Sequence, residues 1–174
     1  MGTINYGTSE IITIGQLMFN GSGLSEEEWE EERTFYMDET EDLMLDIQKL
    51  INDHDFEFYK IVPEHGYYEG MYINIKLNTC CYYGGPNRNY KEYNYVESSE
   101  ERKNILKELT QIKNMLLECV NYHNLNVIYP GWCTTELNYE DSIKEINKRI
   151  AEEKKKIRSF PTWKQLCKQE NILV

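Results

Sequence analysis

The sequence predicts an α+β domain: an antiparallel sheet packed on amphipathic helices, with an acidic helical segment near the N-terminus. Three observations carry that expectation. Met71, Ile73, Ile75 and Leu77 alternate with Tyr72, Asn74 and Lys76, the period-two pattern of a strand with one buried face. Ile105, Leu109, Ile112, Leu116 and Cys119 recur at helical spacing behind a capping signal. Strand-like and helix-like segments follow in the order β, α, β-hairpin, α, β, α, α, which suits an antiparallel sheet with helices on one face. The chain of 174 residues fits one domain, 1–174. At that size roughly 70% of the unfolded surface is buried, enough for a real core.

Each element has a local reason. Ile11, Ile12, Thr13 and Ile14 are β-branched throughout and predict an N-terminal strand; the NGSG run at 20–23 predicts a loop after it. Ser25 with Glu28 is a capping box. Leu43, Met44, Ile47, Leu50 and Ile51 give a secure helix over Asp38–Asn52, while the Glu-rich stretch 25–33 before it reads as a separate short helix or a mobile arm. Phe56–Val62 reads as the first strand of the central hairpin, Pro63–Gly66 as its turn and Tyr67–Asn78 as the second strand, with Cys80–Tyr83 as a possible extension. Gly84–Asn89 reads as an exposed loop. Ser98 and Glu101 form a second capping box, and His123-Asn124 ends that helix. Leu125–Tyr129 is a strand stopped by Pro130-Gly131, and Trp132–Thr135 is an extended cluster able to pair again. Asn138 caps the next helix, with Ile143, Ile146, Ile150 and Ile157 as its core stripe. Pro161 is placed at N1 of a last short helix docked by Trp163, Leu166 and Cys167.

Composition narrows the function classes. No apolar run approaches the roughly 20 residues of a membrane span, and no signal peptide is evident. Five cysteines in no framework spacing point to free thiols in a reducing compartment. Neither C-x₂-C nor H-x₃-H occurs, so no metal site or cofactor is expected. Walker, G-x-G-x-x-G, G-x-S-x-G, H-E-x-x-H and EF-hand patterns are missing too. His65 beside Glu64, with Glu69 nearby, is an acid–base pair in outline, and Cys119 with His123 is a thiol–imidazole pair at i,i+4. Both are explained more simply: the first by a solvated turn, the second by a core cysteine and a helix-end histidine.

Charge is the distinctive feature. The net charge is −11; residues 1–60 carry 15 acidic against 3 basic side chains, a net −12, and the rest of the chain carries +1. Six glutamates lie between Glu26 and Glu32, around the single apolar residue Trp29. At i,i+3 and i,i+4 spacing these charges repel, so solvent or a basic partner must accommodate them. Rows of carboxylates imitate a phosphate backbone and speed encounter with a basic channel. A merely soluble acidic helix explains the same letters. The basic run 154–158 reads as a solvated helix end or an internal partner of the acidic segment, not as a nucleic-acid site.

Three stretches, TINYGTSEIITIG (3–15), HGYYEGMYINIKLN (65–78) and VIYPGWCTTELNYEDSIKEINKRI (127–150), together resemble a group of small proteins carried by bacteriophages and prophages. The likeness covers about half the chain. It implies a phage origin and a host-cell cytoplasm, and brings no activity with it. The Glu-rich segment 25–37 is an insert relative to that pattern. Small acidic phage proteins without catalytic motifs suggest inhibitors of host defence, anti-CRISPR proteins among them. The expectation is therefore a non-enzymatic inhibitor of a host CRISPR nuclease or another nucleic-acid-binding defence protein. It would engage a basic groove through Glu26, Glu27, Glu28, Glu30, Glu31, Glu32, Asp38 and Glu39, with Trp29 as apolar anchor, and would bind neither nucleic acid directly nor a membrane. Two other expectations stand beside it: a structural or regulatory phage protein that self-associates, as a homodimer for instance, through a Tyr-rich sheet, and a small hydrolase-type enzyme using His65 and nearby glutamates.

Overall fold

The sheet is laid around one long strand. In a computed structural model, which describes residues 3–16, 23–65, 71–84, 91–129 and 135–172, and their side chains except at 3–9, 36, 65, 78 and 79, the elements run β1 (Thr3–Gln16), α1 (Glu26–Asn52), β2 (Tyr59–His65), β3 (Met71–Gly84), β4 (Lys91–Tyr95), α2 (Ser99–Tyr122), β5 (Asn126–Tyr129), β6 (Thr135–Glu136), α3 (Tyr139–Ser159) and α4 (Trp163–Gln169). β3 pairs with β1 along one side over its whole length, and with β2 and then β4 along the other. β1 passes the sheet on to β5, and β5 to β6. Every one of these pairings is antiparallel, so the fold is α+β with an antiparallel sheet, as the alternation in β3 implies.

Alternation decides which face is core. Met71, Ile73, Ile75 and Leu77 are at most 1% exposed, while Tyr72, Asn74 and Lys76 between them are half-buried. Register places Ile12 opposite Ile75 and Ile14 opposite Ile73, and on the other strand Ile61 opposite Ile75 and Tyr59 opposite Leu77. A bulge between Glu10 and Ile12 lets the adjacent Ile11 and Ile12 both become buried, which strict alternation forbids. Onto this face pack Ile47 and Ile51 of α1, the stripe Ile105–Leu109–Ile112–Leu116–Cys119 of α2, and Ile146, Ile150 and Ile157 of α3, in one continuous core. Each such side chain contributes about 1.5–3 kcal/mol by leaving water. α2 and α3 are also tied at their ends, where the Arg102 guanidinium donates to the Phe160 carbonyl.

Caps and turns follow the local chemistry, with some departures. Asn138 accepts from the Asp141 N–H at 2.9 Å and starts α3. Asn124 takes a left-handed conformation, φ 54°, after the C-cap His123, the place where glycine is usual. Ser98 accepts from the Glu101 N–H, but the Glu101 carboxylate reaches back to the N–H of Glu97 and not to that of Ser98, so only half of that capping box forms. The cap of α4 is Thr162 in a complete box with Gln165; Pro161 therefore precedes the cap and is not N1. Its carbonyl accepts from the Val96 N–H, fastening α4 to the end of β4.

Three sequence expectations are corrected. Pro63, Glu64 and His65 are strand residues facing Ile73, Tyr72 and Met71, not a turn. Proline is tolerated there because, among the described strands, β2 pairs with β3 alone, and a strand edge does not need its N–H. Lys91–Tyr95, given no element by the sequence, is a strand on β3. The acidic stretch is neither a separate helix nor an arm: α1 is a single 27-residue helix from Glu26 to Asn52. The exposed loop expected at Gly84–Asn89 lies, beyond Gly84 at the end of β3, outside the described residues, as does the Pro130–Thr134 cluster with Trp132 and Cys133.

Candidate functional site

The acidic helix begins where the capping box says it should. Ser25 Oγ accepts from the Glu28 N–H at 3.3 Å, and the Glu28 carboxylate accepts from the Ser25 N–H at 2.9 Å. These bonds, the backbone one first and the Ser25 hydroxyl second, hold the Glu28 carboxyl below its ordinary range. Glu28 is thus committed to the helix end. The other first-turn carboxylates, Glu26 and Glu27, also suit the positive end of the helix dipole.

One stripe of α1 turns inward. It runs through Thr40, Met44, Ile47 and Ile51, with Thr40, Ile47 and Ile51 buried; Trp29, Arg33 and Met37 continue the same helical line toward the N-terminus and are half-buried. The Arg33 guanidinium stands 5.2 Å over the Trp29 ring. Trp29 is therefore half-covered beside Arg33 and is a less open apolar side chain than the anchor expected of it. Glu26, Glu27, Glu28, Glu30, Glu31, Glu32, Asp38 and Glu39 are all exposed, as are Glu41, Asp42 and Asp46. From Glu26 to Asn52 the helix carries 11 acidic residues against Arg33 and Lys49, a net −9. The i,i+3 and i,i+4 pairs 26–30, 27–30, 27–31, 28–31 and 28–32 repel by about 1–2 kcal/mol in sum.

Two apolar side chains stand among these charges. Phe35 is 58% exposed, with Glu28, Glu31, Glu32, Asp38, Glu39 and Asp42 on the same helix face; Leu45 is 69% exposed and follows Glu41 and Asp42 by one turn. Sequence reasoning passed over both. Their signal was available: each lies off the stripe that ends in Ile47 and Ile51.

The other sequence candidates fare differently. The His65 side chain, Glu69 and Tyr67-Tyr68 lie outside what is described; Glu64 is exposed and accepts from Asn74 Nδ2 at 2.8 Å. His54 stacks on Phe56 with ring centres 5.3 Å apart. Cys119 is fully buried, and burial, reinforced by Glu118, pushes its thiol up to about 12, so it is no thiolate nucleophile. Among the described residues no group of His, Cys, Asp and Glu is arranged to hold a metal ion, and no helix is long and apolar enough to cross a membrane.

Two buried carboxylates escaped the sequence reading altogether. Glu108 on α2, 6% exposed, accepts backbone N–H bonds from Glu57, from Phe58 at 2.8 Å and from Tyr59 at 3.1 Å. Glu153 on α3, 7% exposed, lies 3.5 Å from the Tyr59 hydroxyl and 3.8 Å from Lys156 Nζ. Burial raises both carboxyls above their ordinary range, against the pull of those hydrogen bonds and of Lys156. Burial, then the charges of Glu153 and Glu108, also raises the Tyr59 hydroxyl. Tyr59 lines an open cleft of about 450 Å³ with Gln48, Asn52, Asp55, Lys60 and others, but neither carboxylate reaches it. Both oxygens of Glu108 are taken by the chain entering β2. The trio fastens α2 and α3 to the start of that strand. A carboxylate inside an apolar stripe, Glu108 between Ile105 and Ile112 and Glu153 between Ile150 and Ile157, was the available sign.

Comparison with protein-family models, with curated proteins and with solved structures finds no match for this chain.

Proposed function

We propose that the chain is a non-enzymatic binding protein that presents the outer face of α1 to the basic groove of a nucleic-acid-handling protein, and so keeps nucleic acid out of it. In the setting implied by the phage-like motifs, the partner is a host defence protein, with an RNA-guided CRISPR nuclease as the specific candidate. The observation that carries this reading is the outer face of α1: a continuous capped helix, net −9, whose carboxylates surround the exposed Phe35 and Leu45. The charges would speed encounter and the two apolar side chains would enter pockets between the partner's cations. Contact with cations would also relieve the repulsion along the first two turns.

The test leaves Glu28 in place, since it caps the helix. Glu27, Glu30 and Glu31 are exposed and belong to no cap, so Glu27→Lys/Glu30→Lys/Glu31→Lys should fold normally. Binding to a purified nuclease–guide complex, followed by calorimetry, should weaken by at least about tenfold in that variant. Unchanged affinity would remove the acidic face from the interaction.

A further inference from the structure

The chain carries a second charged surface of opposite sign. α2 and α3 pack side by side: Lys154 Nζ donates to Thr110 Oγ1 at 2.7 Å, and Arg102 reaches the Phe160 carbonyl at the other end. These contacts set the two helices antiparallel. Along their seam Lys103, Lys107, Lys113, Lys154, Lys155 and Arg158 fall on the outer side. Lys103 is offset by Glu100 at 3.7 Å, and the neighbouring Lys144, Lys148 and Lys156 are similarly paired along α3. Among the described residues Lys113, Lys154 and Arg158 have no salt-bridge partner. Partial burial, with Lys113 and Arg158 close by, lowers the Lys154 ammonium below its ordinary range. The seam is therefore a place where positive charge is crowded and uncompensated.

We propose that this seam is the docking surface for the acidic half of α1 from a second copy of the chain. The two surfaces match in sign and size. Glu26 to Arg33 carries six carboxylates against one guanidinium, a net −5, and eight helical residues span about 12 Å. Lys103 to Lys113 on α2 spans about 15 Å, with Arg158 and Lys154 alongside. The free chain has a net charge of −11, which repels a polyanion at long range and disfavours nucleic acid as the occupant; a helix of another copy brings the complementary charge with it. Docking covers the α1 face, so a self-associated chain is closed to any other basic partner. The proposal does not depend on what that partner is.

Sedimentation velocity tests it directly. The wild-type chain should self-associate in the micromolar range at about 50 mM salt and dissociate at about 500 mM. Lys113→Glu/Lys155→Glu/Arg158→Glu, which changes exposed or half-exposed positions and spares the Lys154 contact, should be monomeric, as should Glu27→Lys/Glu30→Lys/Glu31→Lys. Mixed together, the two variants should re-form a dimer, because the reversed helix of one meets the reversed seam of the other. Circular dichroism confirms that each remains folded. A wild-type chain monomeric at about 200 µM in low salt would overturn the proposal. So would self-association that survives both reversals. Retention of a 20-mer oligonucleotide by the monomeric wild type, lost in the seam variant, would give the seam to nucleic acid instead.

Discussion

Replacing Glu108 with alanine tests how the start of β2 is held. The carboxylate accepts three consecutive N–H groups where the chain enters β2, from Glu57, Phe58 and Tyr59. Glu57 is exposed and Phe58 half-buried, so water can replace the carboxylate there. The Tyr59 residue is 3% exposed, and its N–H is left unpaired. An orphaned buried donor costs about 1–3 kcal/mol, and each partly solvated bond to a charged acceptor about 1 kcal/mol more. The loss is then about 3–5 kcal/mol, equivalent to a fall in Tm of roughly 6–20 °C for a chain of this length. Glutamine keeps one acceptor oxygen without a buried charge and should lose less than half as much. Urea unfolding followed by circular dichroism measures both. A Glu108→Ala variant within about 1 kcal/mol of wild type would refute the structural role given to this carboxylate.

Gly15 is packed against its neighbours: a Cβ there would lie 2.2 Å from the Met71 carbonyl oxygen and 2.8 Å from both the Tyr72 Cα and Ile128 Cδ1. Two of those atoms are backbone, so Gly15→Ala must open the junction of β1, β3 and β5 and should cost about 2–3 kcal/mol in the same assay; a neutral variant would contradict the register. Glu153 has its carboxyl raised by burial, so its contribution to stability is full below the ordinary value of 4.5 and is lost as pH rises through the raised folded value. Glu153→Gln should therefore match the wild type in acid and exceed it at neutral pH, read as urea midpoints from about pH 4 to about pH 8; a variant less stable at neutral pH would reverse the sign.

The parts of the fold legible in the sequence are those with local causes. The alternation of Met71–Leu77, the capping box opened by Ser25 and the cap Asn138 depend on residues within a few positions of one another and form as read, whereas the Ser98 box forms only by half and α4 starts from Thr162, past the Pro161 expected at N1. β4 was hidden because its five residues, KEYNY, offer one buried side chain, Tyr95, and owe their strand to β3. Pro63 looked like a turn because its tolerance depends on β2 lying at an edge. The acidic region of the candidate site was plain from composition, but its orientation was not. Trp29 is the lone aromatic among the glutamates in the sequence, yet it is half-buried beside Arg33, and the more exposed ring is that of Phe35. The role of Glu108 was equally hidden, because its partners lie about 50 residues earlier in the chain.

The most direct measurement of the central claim is competition. A purified RNA-guided nuclease, loaded with guide, is mixed with labelled target DNA and increasing amounts of the chain, and DNA retention is read by mobility shift. The wild-type chain should displace DNA, displacement should weaken by about tenfold or more between about 100 and 300 mM salt, and Glu27→Lys/Glu30→Lys/Glu31→Lys should abolish it. DNA left bound at saturating chain, or displaced equally well by the reversed variant, would contradict the claim that the acidic face of α1 occupies a nucleic-acid groove.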